Sequence, residues 1–297
     1  MKVFLILVKR NIKLFFKDKG MFFTSLVTPC ILLILYATFL GKIYRDSFLS
    51  SLPAEFTLSD KIIDGLVGGQ LMSSILAVSC ITVAFCSNFL MVQDKVNGTI
   101  KDLRMSPVKQ SELSFSYYTA TFVSTLIICL AATAICLIYI AFAGWYLSTA
   151  DVILLLLDVF LLVLFGTALS SIINMFLSTQ GQLSAVGTII SAGYGFICGA
   201  YMPVYTFSEG LRNVIMFLPG TYGTSLIRNH SIDGVLAELQ NEGINTEVIN
   251  GIRDSLDCNL YFFENKVEIS LMYVILTVCI AVLIMAYILI NSLTKRE

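Results

Sequence analysis

Charged residues are scarce in this chain. They make up 13% of its 297 residues, and 57% are hydrophobic, whereas a soluble domain has about 25% charged residues. A chain with so little charge cannot cover a water-facing surface, and its mean hydropathy is +0.85, so lipid must be the solvent for most of it. The net charge of −1 provides no basic field for nucleic acid, which is therefore not expected as a partner.

Several motifs that carry chemistry are also missing. The eight cysteines form no C-x-x-C pair, and seven lie in apolar stretches, where we expect small hydrophobic side chains rather than a metal or redox site. There is no G-x-x-x-x-G-K-[ST] phosphate loop, no H-E-x-x-H and no G-x-S-x-G. The one histidine, His230, is expected at the surface. We therefore predict no catalytic residue, no metal and no cofactor bound by this chain.

What the sequence does contain is long apolar runs. Six stretches of about 20 or more residues read as membrane-spanning helices, because only helices satisfy the backbone of such segments in lipid. They cover residues 21–41, 69–92, 115–143, 152–177, 182–202 and 269–292. The sequence thus predicts an all-α membrane protein with a six-helix transmembrane domain over 21–297.

The lysines and arginines predict its orientation. Twelve of them lie before the first span, between spans two and three, and after span six, whereas seven are spread over the opposite side. Positive charge marks the cytoplasmic side. We therefore expect a multi-pass protein of the plasma membrane with both termini in the cytoplasm.

Residues 1–20 form a separate element. At 100° per residue, five basic side chains fall within one narrow arc, and apolar residues such as Phe4 and Phe15 occupy the rest. Such a helix lies in the membrane interface. The alternative is a plain basic tail that only sets the topology.

The loop 93–114 carries the sharpest signal. Asn97-Gly98 predicts a turn, after which Thr99 caps a short helix through Arg104 with Asp102 as a capping-box partner. Ser106-Pro107 ends the helix, because the residue before proline avoids α geometry. Ile100 and Leu103 would offer a small apolar contact and Lys101 and Arg104 would offer charge, which together make a docking element for a soluble partner. The alternative is an ordinary capped loop.

This loop resembles the coupling segment of type-2 ATP-binding-cassette (ABC) exporter permeases. The resemblance rests on the run G-T-x-x-x-L-x-x-S-P after the second span, and it extends to the amphipathic first helix, the six spans and the two-proline segment after span five. One departure is that Asp94 is the only acidic residue just before Gly-Thr. The residues that the resemblance assigns to ATPase coupling are Asp94, Gly98, Thr99, Lys101, Asp102, Leu103, Arg104, Ser106 and Pro107.

The resemblance also implies partners. Such a permease binds no nucleotide and works with a separate ATPase, which holds ATP and Mg²⁺. Two ATPases would join two permeases, identical or homologous, within the lipid bilayer, and closure of the ATPases would tilt the spans.

Two helices carry small and polar side chains that the resemblance places along the transport route. In span five the small residues recur every four positions, which allows two backbones to approach closely. The expected pathway residues are Gln70, Ser73, Ala77 and Asn88 of span two and Gly187, Ser191, Gly195 and Gly199 of span five. The alternative is ordinary packing inside one bundle.

Asp158 is the only charged residue deep in a predicted span, where charge is costly and is by default functional; at its depth it could instead reach outer water or a polar neighbour. The extracellular segment 203–268 is expected to begin with a re-entrant or interfacial helix around 211–218, which is too short to cross a bilayer. From Asn229 on we expect a small outer cap, with Val248, Ile252 and Leu256 on a helix that starts after Asn245.

The function predicted first is outward movement of a hydrophobic or amphiphilic substrate, such as a drug, antibiotic, peptide or lipid-like compound. An alternative within the family is export of polysaccharide or lipid-linked glycan. An ion-driven transporter would show inverted repeats and several intramembrane charges, and the single intramembrane charge, Asp158, argues against it. An intramembrane enzyme would need a nucleophile with a base or a metal pair, and the missing motifs argue against it.

Overall fold

The computed structural model describes residues 2–51, 59–263 and 265–293. Within these residues the structure has twelve α-helices and one antiparallel pair of short strands. The helices are α1 (Lys2–Lys17), α2 (Lys19–Leu35), α3 (Gly41–Ser51), α4 (Asp60–Val96), α5 (Thr99–Met105), α6 (Gln110–Ala143), α7 (Thr149–Phe176), α8 (Gln180–Ile197), α9 (Glu209–Ile215), α10 (Pro219–Asn241), α11 (Thr246–Ser255) and α12 (Ile269–Leu293). The strands are β1 (Leu260–Phe262) and β2 (Asn265–Val267), and a π-helical turn, Tyr36–Leu40, joins α2 to α3.

In the described part of the chain, five helical stretches are long and apolar enough to cross a membrane. They are Lys19–Asp46, Asp60–Val96, Gln110–Ala143, Thr149–Phe176 and Ile269–Asn291. They match five of the six predicted spans. This agrees with the prediction of an all-α membrane protein. The helix that contains span two, α4, begins at Asp60, nine residues before the predicted start of the span at residue 69; the boundary of the span in the membrane stays a prediction.

The predicted fifth span, 182–202, is interrupted. α8 ends two residues before Gly199, which has a φ of 75°. The amides of Ala200 and Tyr201 both bond back to the Gly195 carbonyl at 2.9 Å, and such a left-handed C-terminal turn favours glycine. One helix through residue 202 is therefore wrong, and the 18-residue α8 is not among the five stretches above. The six-span topology stays a prediction.

α4 is the centre of the bundle. α2, α6, α7, α8 and α10 all pack against it, and its most apolar segment is fully buried. Small residues permit this crowding: a Cβ on Gly166 of α7 would lie 2.8 Å from the Cys80 carbonyl, and one on Gly69 would lie 2.7 Å from the Ser231 carbonyl of α10. Close contact between backbones is what holds helices together where lipid removes the hydrophobic driving force.

The chain after α8 folds back into the bundle through α9 and the 23-residue α10. A Cβ on Gly223 would come within 2.6 Å of the Leu162 side chain in the middle of α7, and Gly234 lies against the Tyr146 carbonyl in the turn between α6 and α7. α10 therefore runs from the middle of the bundle to that end. An outer cap beginning at Asn229 is wrong, because this residue is buried where α10 packs among α4, α7 and α12.

A second, smaller apolar core lies beyond this end of the bundle. α11 begins after Asn245, as predicted, and the Asn245 side chain accepts a bond from the Glu247 amide at 3.2 Å. Of the three residues expected on one face, Ile252 and Leu256 are buried and Val248 is half-buried. Their neighbours in this core come from α3, α4 and α10 and include Phe48, Ile62, Ile63, Leu66, Val235, Leu236 and Leu239.

Candidate functional site

A short exposed helix, α5, joins α4 to α6. It begins at Thr99, after Gly98 with a φ of 80°, and the Gly98 carbonyl accepts bonds from the amides of Lys101 at 2.8 Å and Asp102 at 3.4 Å. The prediction that Thr99 caps this helix with Asp102 as its capping-box partner is wrong, since Gly98 is the N-cap and no side chain caps α5. The Asn97-Gly98 turn supplies a left-handed entry that glycine adopts without strain.

The end of α5 agrees with the prediction to within one residue. The helix ends at Met105, and Ser106 is extended (φ −80°, ψ 159°) before Pro107. The Ser106 hydroxyl donates to the Leu103 carbonyl at 2.6 Å, which satisfies one of the carbonyls left free at a helix end. Both ends of α5 are thus fixed by local interactions.

The two faces of α5 differ. Ile100 is buried and Leu103 is half-buried against the main core of the chain, so the expectation that Ile100 offers an apolar contact to a partner is wrong. Met105, by contrast, is 80% exposed. The other exposed side chains on and just after the helix are those of Lys101, Asp102, Arg104 and Pro107.

Asp94 is not on this exposed surface. It is buried and accepts bonds from both terminal nitrogens of Arg10, at 2.7 and 3.3 Å, and from the Tyr117 hydroxyl at 2.5 Å. Arg10 also bonds Asn11 at 2.8 Å, and Asn11 donates to Ser116 at 3.4 Å. The carboxylate therefore fastens α1 to the adjacent ends of α4 and α6, next to α5.

A groove of about 1030 Å³ runs along one flank of the chain between α2 and α8. Its wall is mostly aliphatic and aromatic, with residues such as Ile31, Leu183 and Phe196, and Asp18 is its only charged lining residue in the described part of the chain. Such a groove suits an apolar or amphiphilic occupant.

The structure separates the predicted pathway residues. Gly187 and Ser191 line the groove. Gln70 lines a different cavity of about 280 Å³, beside Tyr44 and Tyr205. The others lie inside the bundle of this single chain and are Ser73, Ala77, Asn88, Gly195 and Gly199.

Two of those interior residues show ordinary packing roles. The Asn88 amide donates to the hydroxyls of Ser170 and Ser171 of α7, at 3.2 and 3.0 Å. A Cβ on Gly195 would overlap the ring of Tyr201. These contacts favour the packing alternative for both residues; their part in a route stays a prediction.

Asp158 has a partner that the sequence did not reveal. Its carboxylate is 1% exposed, faces His230 Nδ1 at 2.6 Å and accepts a bond from the Tyr273 hydroxyl at 2.5 Å. The prediction of His230 as a surface residue is wrong, because α10 carries it into the bundle, where it is 6% exposed. This cluster joins α7, α10 and α12 and leaves Asp158 without direct access to water.

Arg228, two residues before His230, was missed altogether. It is fully buried and donates to the Gly199 carbonyl at 2.8 Å, to Asp257 at 3.3 Å and to Ser73 at 3.5 Å. Asp257 also accepts the Val204 amide at 2.5 Å. Burial raises the pKa of Asp257, and the Arg228 charge offsets this only in part. The available signal was an arginine and a histidine two residues apart in a stretch long enough to form a helix.

Comparison with curated proteins and with solved structures gave no match. The sequence model of the ABC-2 type transporter family, however, matches residues 2–230. That range includes α5, the groove and the buried charges of α7 and α10, and it takes in most of the chain. The chain therefore belongs to the ABC-2 type transporter family, whose members are membrane subunits of transporters.

Proposed function

We propose that this chain is the permease subunit of an exporter driven by ATP hydrolysis in a separate ATPase subunit, which holds ATP and Mg²⁺. The observation that carries the proposal is α5. It is short, fixed at both ends, anchored inward by Ile100 and exposed through Lys101, Arg104 and Met105. A rigid helix with a charged outer face fits a cleft on a soluble partner and transmits force to the helices on either side of it.

The groove supports a pair of permeases. It is open along one flank, and α2 beside it exposes large apolar side chains, among them Phe23, Ile31 and Ile34. A second permease, identical or homologous, would close the groove into a route, and each permease would dock one ATPase. The apolar wall favours a hydrophobic or amphiphilic cargo over a glycan, which would need more hydrogen-bonding side chains.

The remaining expectations form part of the same proposal. The chain would sit in the plasma membrane with α5 and both termini in the cytoplasm and with six spans, α8 being the fifth. α9 and α10 would then enter the membrane from the outside and leave on the same side. The position of Gly223 opposite the middle of α7 and of Gly234 at the α6–α7 turn supports this course.

The experiment is to purify the chain with its ATPase and to reverse the charge of α5 with the double substitution Lys101→Glu and Arg104→Glu. The ATPase should no longer co-purify, while the variant still inserts into the membrane. Lys109→Glu, at an exposed position on the same loop, is the matched control and should keep the ATPase. Undiminished co-purification of the ATPase with the double variant would refute the docking role.

The cargo class is tested separately with the reconstituted complex. A hydrophobic fluorescent dye and a lipid-linked oligosaccharide serve as probes, and stimulation of ATP hydrolysis is measured. We expect the dye to stimulate hydrolysis, whereas stimulation by the oligosaccharide alone would favour the glycan alternative.

A further inference from the structure

The last residue but one of α4, Lys95, binds the end of another helix. Its ammonium donates to the carbonyls of Met175 at 2.6 Å, Leu177 at 3.2 Å and Asn174 at 3.3 Å. Asn174 and Met175 lie in the last turn of α7, and Leu177 is its C-cap. Carbonyls at a helix end lack the amide partners of a continuing helix, although the Asn174 carbonyl also accepts the Leu177 amide at 3.3 Å. A cation at this end is also favoured by the helix dipole. In the described ranges no carboxylate lies within ion-pair distance of Lys95. The hydrogen bonds of its ammonium go to the three carbonyls at the end of α7.

The α7 end leads directly into the groove wall. The Thr179 hydroxyl accepts the Gln182 amide at 3.2 Å, and the Gln182 side chain accepts the amides of Ser178 at 2.9 Å and Thr179 at 3.3 Å. This reciprocal cap fixes the turn between α7 and α8. A displacement of the α7 end is therefore passed to α8, which carries Gly187 and Ser191 on the groove.

Lys95 also stands next to the docking helix. α5 begins four residues later, and the neighbouring Asp94 is already bound to Arg10 and Tyr117. Adjacent residues on a helix point about 100° apart. One side of the α4 end is thus fastened to α1 and α6 and another side to α7.

We propose that Lys95 is a positioning residue that makes the α7–α8 turn follow α5, so that movement of the docking helix reaches the groove wall. This inference rests on the proposed function. Lys95 contacts neither ATPase nor cargo in this scheme; it acts through the last carbonyls of α7. Three charge-assisted bonds to one helix end give a stiffer connection than apolar packing alone.

The test uses two single-cysteine reporters in the complex with its ATPase, in a chain whose native cysteines are replaced by alanine or serine. One environment-sensitive fluorophore is attached at Met105→Cys, which is exposed on α5, and the other at Gly181→Cys, where no atom lies within 4 Å of a Cβ. Fluorescence is compared without nucleotide and with ATP and vanadate. Both reporters should respond when Lys95 is present.

The substitution Lys95→Met should preserve the response at Met105→Cys and reduce the response at Gly181→Cys by about tenfold, as expected for loss of one or more charge-assisted bonds. Lys95→Arg should restore it, because a guanidinium also donates to carbonyls. Lys95→Leu, which also has no donor group, replaces Lys95→Met if that variant fails to fold. Lys109→Met removes a cation from the same loop without removing a bond to α7 and should leave both responses intact.

The outcomes separate this inference from the proposed function. If neither reporter changes its fluorescence with Lys95 in place, ATP does not move α5. This result would refute the proposed function and the inference with it. A response at Met105→Cys, together with equal responses at Gly181→Cys for Lys95 and for its Met or Leu variant, would overturn the inference alone. A response lost equally at both sites in the variant would also overturn it, because Lys95 would then act on folding or docking.

Discussion

The anchoring of α1 can be tested through the ion pair between Arg10 and Asp94. The side chains of this pair are 29% and 9% exposed, and two nitrogens of Arg10 reach the carboxylate. A hydrogen bond to a charged group contributes about 1.5–3 kcal/mol. Because water reaches Arg10, we expect a coupling energy nearer the low end, about 1–2 kcal/mol.

The perturbation is a double-mutant cycle with Arg10→Gln and Asp94→Asn. Each single change should raise the population of chains with α1 released by about 5–30-fold. The increase in this population in the double variant should be clearly smaller than the product of the two single increases. Asparagine keeps an oxygen for the Tyr117 hydroxyl, so the cycle isolates the ion pair. Lys9→Gln, an exposed change on the same helix, is the matched control and should have no effect.

Cleavage by chymotrypsin measures the released population. Phe15 is 1% exposed and becomes a cleavage site only when α1 leaves α6, so the cleavage rate follows the open population when reclosing is fast. The assay is run on the chain in nanodiscs. If the two substitutions prove additive, the ion pair does not hold α1, and packing of its apolar face must do so.

Three further predictions concern single sites. Gly98→Ala should destabilise α5 by about 1–2 kcal/mol, because alanine is strained at a φ of 80°; faster amide exchange in α5 measures this, and Gly181→Ala, at a helical position with free space, should show no such loss. Glu242→Cys, which is exposed, should react with a membrane-impermeant maleimide on intact cells, whereas Cys258, 2% exposed, should be protected; reaction of Glu242→Cys only after lysis would reverse the orientation. Arg228→Met leaves a buried carboxylate without its cation and should cost about 3–5 kcal/mol, so an unchanged thermal unfolding midpoint would contradict the role of Arg228.

The sequence predicted α5 well because the signals that form it are local. An Asn-Gly turn, a short run of helix-forming residues and a Ser-Pro stop act within a dozen positions, and the observed helix differs by one residue at its end. The missed detail, Gly98 rather than Thr99 as the N-cap, is also local. It follows from the left-handed backbone that an Asn-Gly turn favours.

α10 could not be predicted in the same way. Its buried half contains Arg228, Asn229 and His230, a composition that indicates surface when it is read alone. Arg228 and His230 are tolerated inside because carboxylates far away in sequence bond them, namely Asp158, 72 positions before His230, and Asp257, 29 positions after Arg228. Partners at such separations leave no trace in local hydropathy.

The sequence did not predict the groove itself. Two of the small residues in span five, Gly187 and Ser191, line the groove, and their place on a transport route stays a prediction. The regular spacing failed at Gly199, which lies beyond the end of α8 with a positive φ. A four-residue repeat shows which face the residues share only while the helix continues, and the sequence did not mark where it stops.

The length of α4 has a mechanical consequence. With 37 residues, this helix is about 55 Å long, more than the roughly 40–45 Å of a bilayer with its headgroups. Its first turns, with Ile62, Ile63 and Leu66, belong to the small apolar core at one end, and its last turn leads into α5 at the other. A single rod is therefore long enough to pass through a bilayer and both of its headgroup layers, so a tilt imposed at its α5 tip displaces the opposite tip at once, with no relay of intervening parts.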